Sequence, residues 1–197
     1  MKARPLATAV VFEAPAGYRI RRLLAADLGA YKTLRDEALR LHPDAFSSDH
    51  ETEVRRGAES YLGRLGSNDP LGGTFLLGAH DGEERLVAAV GLERETRAKV
   101  RHISALIGLM VRPTHTGRGL ARALVQACIT LAGSAPGLEL LTLSVTASNG
   151  PASQRAQRVY ERAGFERYGL LPRAIRLVDA GGRVEYHDKA QMLLRLR

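Results

Sequence analysis

The stretch Val111-Arg112-Pro113-Thr114-His115-Thr116-Gly117-Arg118-Gly119-Leu120-Ala121 decides how the rest of the chain is read. Upstream of it, residues 101–111 are β-rich and predict a strand, which Pro113 stops because proline cannot donate to a ladder. Downstream, Leu120, Leu124 and Cys128, with Ala121, Val125 and Ile129, form a broad apolar stripe and predict a helix over 117–132. A helix N-terminus carries unpaired N–H groups and the positive end of the dipole. Gly117 and Gly119 remove side chains where a ligand would approach that backbone. The junction is therefore suited to an anion, and to a pyrophosphate in particular. No Gly-Lys-Ser/Thr follows, which argues against a P-loop, and Arg122 stands where a G-x-G-x-x-G fingerprint needs its third glycine.

Working outward, the flanking segments alternate between strand and helix signals. Residues 18–23 read as an opening strand, and Asp27 as a cap for a helix over 28–41 with Leu28, Tyr31, Leu34, Ala38 and Leu41 on one face. Pro43 and small polar residues break that helix, and a second helix is predicted over 51–65, ending near Gly66. Residues 74–80 and 86–94 flank Asp81-Gly82, a hairpin signal. Residues 138–145 read as a buried strand. Pro151 opens a further helix and Gly164 closes it. Strand segments at 165–168, 173–178 and 184–196 predict a closing hairpin. The order predicts one α/β domain over 18–197 with a mixed sheet, preceded by a lead-in over 1–17. No internal repeat or low-complexity tract is visible.

Composition narrows the function classes. The chain has 197 residues, 45% hydrophobic, enough for a real core. Cys128 is the only cysteine, so a disulfide framework and a cysteine-based zinc site are excluded, and it reads as a small core residue on its helix. No metal is expected. No apolar run is long enough to span a bilayer. Pro5, Thr8 and Glu13 spoil the N-terminal segment as a signal peptide, which leaves a cytoplasmic location as the expectation. The net charge is +8, and 25 of the 29 basic residues are arginine. Such a charge suits nucleic acid, acidic lipid or a polyphosphate ligand. Few aromatics accompany it, so the usual platform for stacking single-stranded bases is missing.

Three blocks of this chain resemble the GNAT N-acetyltransferase superfamily. The first runs from Leu109-Met110-Val111-Arg112-Pro113 through Thr116-Gly117-Arg118-Gly119-Leu120-Ala121 to Leu124, the second is Val145-Thr146-Ala147-Ser148-Asn149, and the third is Arg158-Val159-Tyr160-Glu161-Arg162-Ala163-Gly164-Phe165. The resemblance covers nearly the whole chain. It implies a mixed, mostly antiparallel sheet of about seven strands flanked by about four helices and splayed between the fourth and fifth strands. It implies acetyl-CoA, or another short acyl-CoA, as cofactor and a primary amine, on a small molecule or peptide, as acceptor. Cofactor contacts would fall at Leu109, Met110, Val111, Thr116, Gly117, Arg118, Gly119, Leu120, Ala121, Arg122 and Asn149. Thr114 and Thr116 stand where the family favours Gln or Arg and a basic residue.

By the same resemblance, the Val111 N–H would polarise the thioester carbonyl. Tyr160 matches the tyrosine that protonates the departing thiolate; on spacing alone it reads equally as a core tyrosine. His102 is a candidate base. The first two helices would border the acceptor, making Asp44, Phe46 and Glu51 candidate acceptor contacts, and Glu93, on a strand where the family often places a glutamate base, is a further candidate at the acceptor. Residues 36–53 carry six acids against Arg40 alone, which suggests an acidic rim attracting a cationic amine. An RNA-directed or aminoacyl-tRNA acetyltransferase and a non-catalytic acyl-CoA binder remain as alternatives. Nucleic acid is not favoured, no membrane partner is expected, and a homodimer is allowed.

Overall fold

Strands β2 (Phe75–His80) and β3 (Leu86–Arg94) are near-continuous runs of small and branched apolar residues, and they are buried on both faces. That pattern requires cover above and below, and it places them at the middle of the sheet. The computed structural model describes residues 12–67, 69, 71–148, 150–179 and 181–196. Five further strands complete the sheet: β1 (Arg19–Arg22), β4 (Ile103–Val111), β5 (Leu140–Thr146), β6 (Glu166–Val178) and β7 (Val184–Arg195). The order is β1-β2-β3-β4-β5-β7-β6, antiparallel throughout except for the β4–β5 pair. Four α-helices cover it: α1 (Leu28–Leu41), α2 (His50–Val54), α3 (Leu120–Ser134) and α4 (Pro151–Arg162).

The sheet separates two cores. Helix α3, with Leu120, Leu124, Val125 and Cys128, packs on Leu77, Val90, Leu92, Leu141 and Leu143 from one face, and α4 adds Tyr160 there. Helix α1, with Leu28, Tyr31 and Leu34, packs on Leu76, Ala89 and Met110 from the other. Period-2 alternation along β2 and β3 deals successive residues to the two cores.

Three expectations are corrected. The helix predicted over 51–65 is two pieces: α2, capped by the Asp49 carboxylate accepting the Thr52 N–H at 2.7 Å, and a 3-10 helix over Ala58–Leu65. Gly57 between them is extended (φ −71°, ψ 161°), which stops the α geometry. The segments 165–168 and 173–178 form one strand, β6, whose register shifts between Leu171 and Ile175. Pro172 is tolerated there because β6 is an edge strand. Helix α3 begins at Leu120 rather than Gly117, since Gly117 (φ +77°) and Gly119 (φ +81°) are left-handed and cannot belong to it. The boundaries of α1 and β3 fall where the sequence put them.

Candidate active site

The site begins with a failure of pairing. Parallel pairing of β4 with β5 is confined to Ile103–Ala105 against Leu140–Thr142. Beyond it the strands diverge, and a cleft of about 960 Å³ opens between Ile107–Val111 and Leu143–Thr146. A bulge in β4 sharpens the divergence. Ile107 faces Gly91 and Met110 faces Ala89, so three steps on β4 oppose two on β3. Gly108 supplies the left-handed residue (φ +60°) that such a bulge uses. The extra residue resets the alternation: Leu106, Leu109 and Val111 all face the α3 core, while Met110 faces the α1 core.

The bulge also leaves a backbone donor in the cleft. Arg112 donates to the Val87 carbonyl at 2.9 Å, and the neighbouring pair is Ala88 with Val111. Bonded and non-bonded pairs alternate in an antiparallel ladder, so the Val111 N–H points away from β3. Its outer neighbour would be β5, which has already turned away.

The glycine turn closes one end of this cleft. Residues Pro113–His115 form a 3-10 turn, and the Thr116 hydroxyl donates to the Pro113 carbonyl at 2.8 Å. That hydroxyl proton is used inside the turn and is not free for a phosphate, contrary to the simplest reading of a threonine there. The Tyr18 hydroxyl and His115 Nδ1, 2.9 Å apart, brace the turn from the start of the chain. Thr116, Gly117, Gly119, Leu120, Ala121 and Arg122 line the cleft. Arg118 does not; it borders a separate small depression with Tyr18, Asp81 and Arg85. Exposed arginines of α4 (Arg155, Arg158 and Arg162) line the cleft on the same side as Arg122. Positive charge thus gathers around the open N-terminus of α3.

Helix α4 is held to the end of β5 by side-chain caps. Ser153 Oγ donates to the Thr146 carbonyl and accepts the Ser148 N–H, and Gln157 reaches the same carbonyl at 3.3 Å. Asn149 lies outside the described residues. One turn further, Tyr160 is 7% exposed, stacks edge-to-face on Phe165, and still lines the cleft. The two readings of Tyr160, core and site, are compatible in one side chain. Burial pushes its phenol well above the ordinary range, so it is a protonated donor at neutral pH.

The α1 side of the cleft differs from expectation. Asp44 and Phe46 line it, but Glu51 is exposed on α2 and does not, and Glu93 instead binds Arg64 at 2.9 Å. His102 lies just before the start of β4, nine residues from Val111, where its carbonyl accepts the Glu139 and Leu140 N–H groups. It does not line the cleft. The acidic rim is dispersed too. Asp36 pairs with Lys32, Glu37 with Arg112, and Asp49 caps α2. Glu53 is buried among Arg35, Arg56 and the Tyr61 hydroxyl. Sequence reasoning missed two buried cations here, Arg35 and Lys189. Arg35 left a trace, since it shares a helix face with Tyr31 and Ala38; Lys189 left none in the alternation of β7.

A splayed parallel strand pair, an outward backbone N–H at a bulge and a glycine turn at a helix N-terminus together define an acyl-CoA-dependent N-acetyltransferase. A family model described as acetyltransferase (GNAT) family matches residues 31–165, and the chain belongs to that family. No curated protein matches the chain. Among solved structures it is similar to a GNAT-family acetyltransferase from Streptococcus pneumoniae (22% identity, TM-score 0.73, covering 90% of this chain and 99% of that one). It is also similar to a phosphinothricin acetyltransferase from Sinorhizobium meliloti in complex with acetyl-CoA (18% identity, TM-score 0.72, 91% and 88%). A third is the ribosomal-protein-S18-alanine N-acetyltransferase from Escherichia coli (18% identity, TM-score 0.63, 91% and 94%). These levels of identity speak to the fold. Among the described residues, no helix is long and apolar enough to cross a membrane.

Proposed function

We propose that the protein transfers an acetyl group from acetyl-CoA to a primary amine by direct attack through a tetrahedral intermediate. The observation that carries this reading is the Val111 N–H directed into a cleft that Tyr160 also lines. The pyrophosphate lies at the Gly117-Arg118-Gly119 turn, with Arg122 and the α4 arginines nearby, while Arg118 is turned to the far side. The pantetheine arm lies along Leu109–Val111 as an added strand in the gap that β5 vacates. The amine nitrogen bonds to the thioester carbon, and the developing oxyanion accepts the Val111 N–H. When the carbon–sulfur bond breaks, the Tyr160 phenol gives its proton to the sulfur, and the proton shed by the attacking nitrogen returns through solvent to the phenolate, leaving a neutral amide and the CoA thiol. The amine approaches from the α1 side, past Asp44 and Phe46. His102 takes no part.

The arginine excess has a local explanation that favours this reading over a nucleic-acid-directed one. Arg19, Arg21, Arg35, Arg56, Arg64, Arg85, Arg97 and Arg112 are all ion-paired within the chain. The arginines grouped around the cleft suit a compact polyphosphate. Mixing the protein with acetyl-CoA and a panel of primary amines tests the proposal. It expects thiol release in step with a mass gain of one acetyl group on an amine. Tight acetyl-CoA binding with no thiol release from any amine would overturn it.

A further inference from the structure

Two buried cations meet at one dipeptide on the α1 side of the cleft. Lys189, on β7, is 8% exposed, and its Nζ donates to Ser47 Oγ at 2.7 Å. Arg35, on α1, is 5% exposed, and its Nη2 donates to Ser48 Oγ at 3.1 Å. The loop between α1 and α2 thus spans the mouth of the splay, with a cation beneath each serine. A hydrogen bond from Thr146 Oγ1 to the Asp44 carbonyl at 2.6 Å pins the same loop to β5.

The carboxylates nearby do not match both charges. Lys189 has no carboxylate partner among the described residues, and burial alone pulls its ammonium below the ordinary value. Arg35 shares Glu53 with Arg56, and that carboxylate also accepts the Tyr61 hydroxyl. The cluster of two arginines and one glutamate keeps a surplus positive charge. Asp44 is the one acid among the described residues lining the cleft. A cation desolvated to this degree is costly unless an anion completes it.

The sheet separates this group from the cofactor side. Ala190 and Met192 of β7 face the α3 core, so alternation turns Lys189 to the opposite face, toward the α1–α2 loop. The glycine turn and the arginines of α3 and α4 lie on the α3 side. The two positive groups therefore serve two different anions. Resting on the acetyltransferase reading above, we infer that the acceptor is a primary amine that also carries a carboxylate, held by Lys189, Ser47, Ser48 and Arg35. This reverses the acidic-rim expectation: acceptor selection works through the acceptor's own negative charge.

The probes are the twenty common L-amino acids and their α-carboxamides, presented to the CoA-loaded protein. Binding is read by calorimetry and turnover separately by thiol release with acetyl-CoA. At least one free acid should bind tenfold or more tightly than its amide. Lys189→Met should weaken that acid about tenfold and change its amide by less than threefold. Ser47→Ala should weaken the same acid in the same direction and serves as a second variant. The inference is overturned if no free acid binds, if acids and amides bind alike, or if Lys189→Met weakens both equally. The binding preference decides this inference whether or not turnover follows, whereas thiol release decides the transfer reading.

Discussion

Replacing Tyr160 with phenylalanine removes one oxygen from the cleft and leaves the ring in place. The side chain is 7% exposed and contacts Phe165 edge-to-face with ring centroids 6.0 Å apart, so the ring contact survives the change. Volume-conserving swaps of this kind cost under about 1.5 kcal/mol, so the variant should remain folded. The kinetic cost is set by what the phenol does. General-acid contributions run from about 10²- to 10⁴-fold. A thiol of ordinary pKa, about 8.5, is already a fair leaving group. That places the loss near the low end, at roughly 10²-fold in kcat, or about 2.7 kcal/mol. Burial holds the wild-type phenol protonated well above its ordinary pKa, so the wild-type rate should show no falling limb from Tyr160 across the ordinary range up to pH 10. Thiol release under saturating acetyl-CoA and amine reads kcat, and calorimetry reads CoA affinity. The expected pattern is a large fall in kcat with CoA affinity within twofold. A kcat within threefold of wild type, with CoA affinity also unchanged, would refute the acid role and return Tyr160 to the core.

Arg122 and Arg118 should separate cleanly, since only Arg122 lines the cleft: Arg122→Ala should weaken acetyl-CoA binding about fivefold, roughly 1 kcal/mol, and Arg118→Ala less than twofold. Equal effects, read by calorimetry, would reject the placement of the pyrophosphate. Gly108→Ala forces a Cβ into a left-handed bulge residue, at about 1–2 kcal/mol, and should lower both melting temperature and kcat; an unchanged kcat would show that the bulge does not position Val111. Arg94 is buried and donates to the carbonyls of Leu71, Gly72, Arg101 and Pro136, so Arg94→Ala should cost about 3 kcal/mol or more in chemical denaturation without altering CoA affinity in the folded fraction. Burial acts to raise the pKa of Glu53, but the Tyr61 hydroxyl and Arg35 outweigh it and hold the carboxyl below its ordinary range. Its contribution to stability is therefore present above the unfolded carboxyl pKa and fades as pH falls through the folded one, so melting temperature should drop less between pH 7 and pH 3 in Glu53→Gln than in wild type. Parallel curves would exclude the linkage.

The elements most legible in the sequence are those that local chemistry settles. The bounds of α1 and β3 follow from an uninterrupted apolar period and clear stops at each end. The 51–65 segment reads as one helix because a 3-10 turn and an α turn share nearly the same apolar spacing, and only the extended Gly57 separates them. The bulge did leave a mark, since Gly108 is an isolated glycine inside a strand pattern, a sign of bulge or close approach. Its consequence is not local, because the switch of faces at Leu109 is visible only once β3 supplies the register. Most of the proposed cofactor half falls within residues 109–122, where neighbours in sequence are also neighbours in space. The proposed acceptor half draws on α1, the loop at 44–48, and β7, some 142 residues apart at the Lys189–Ser47 contact. Charge counted along the chain therefore misled: six acids between 36 and 53 look like a rim, yet folding pairs most of them and brings a lysine from the far end of the chain to the same place.

The bulge explains why both halves of the site meet at one strand. Without it, Leu106, Gly108 and Met110 would share a face, and Met110 would leave the α1 core that it helps close. With it, the strand hands Val111 to the α3 side and Met110 to the α1 side within one step. A Cβ at Gly108 would lie at ordinary contact distance from the Tyr31 hydroxyl (3.7 Å) and Arg35 Nη1 (3.8 Å), so the bulge residue sits directly beside the buried arginine. In the proposed reaction the thioester carbonyl rests on the backbone immediately after this point, and the acceptor's carboxylate is held by the arginine immediately across from it. On that proposal the orientation of the electrophile and the seat of the nucleophile meet at one glycine. A perturbation there should change kcat and the acceptor KM together, whereas changes at Arg122 or Lys189 should each move only the affinity for the partner on its own face of the sheet.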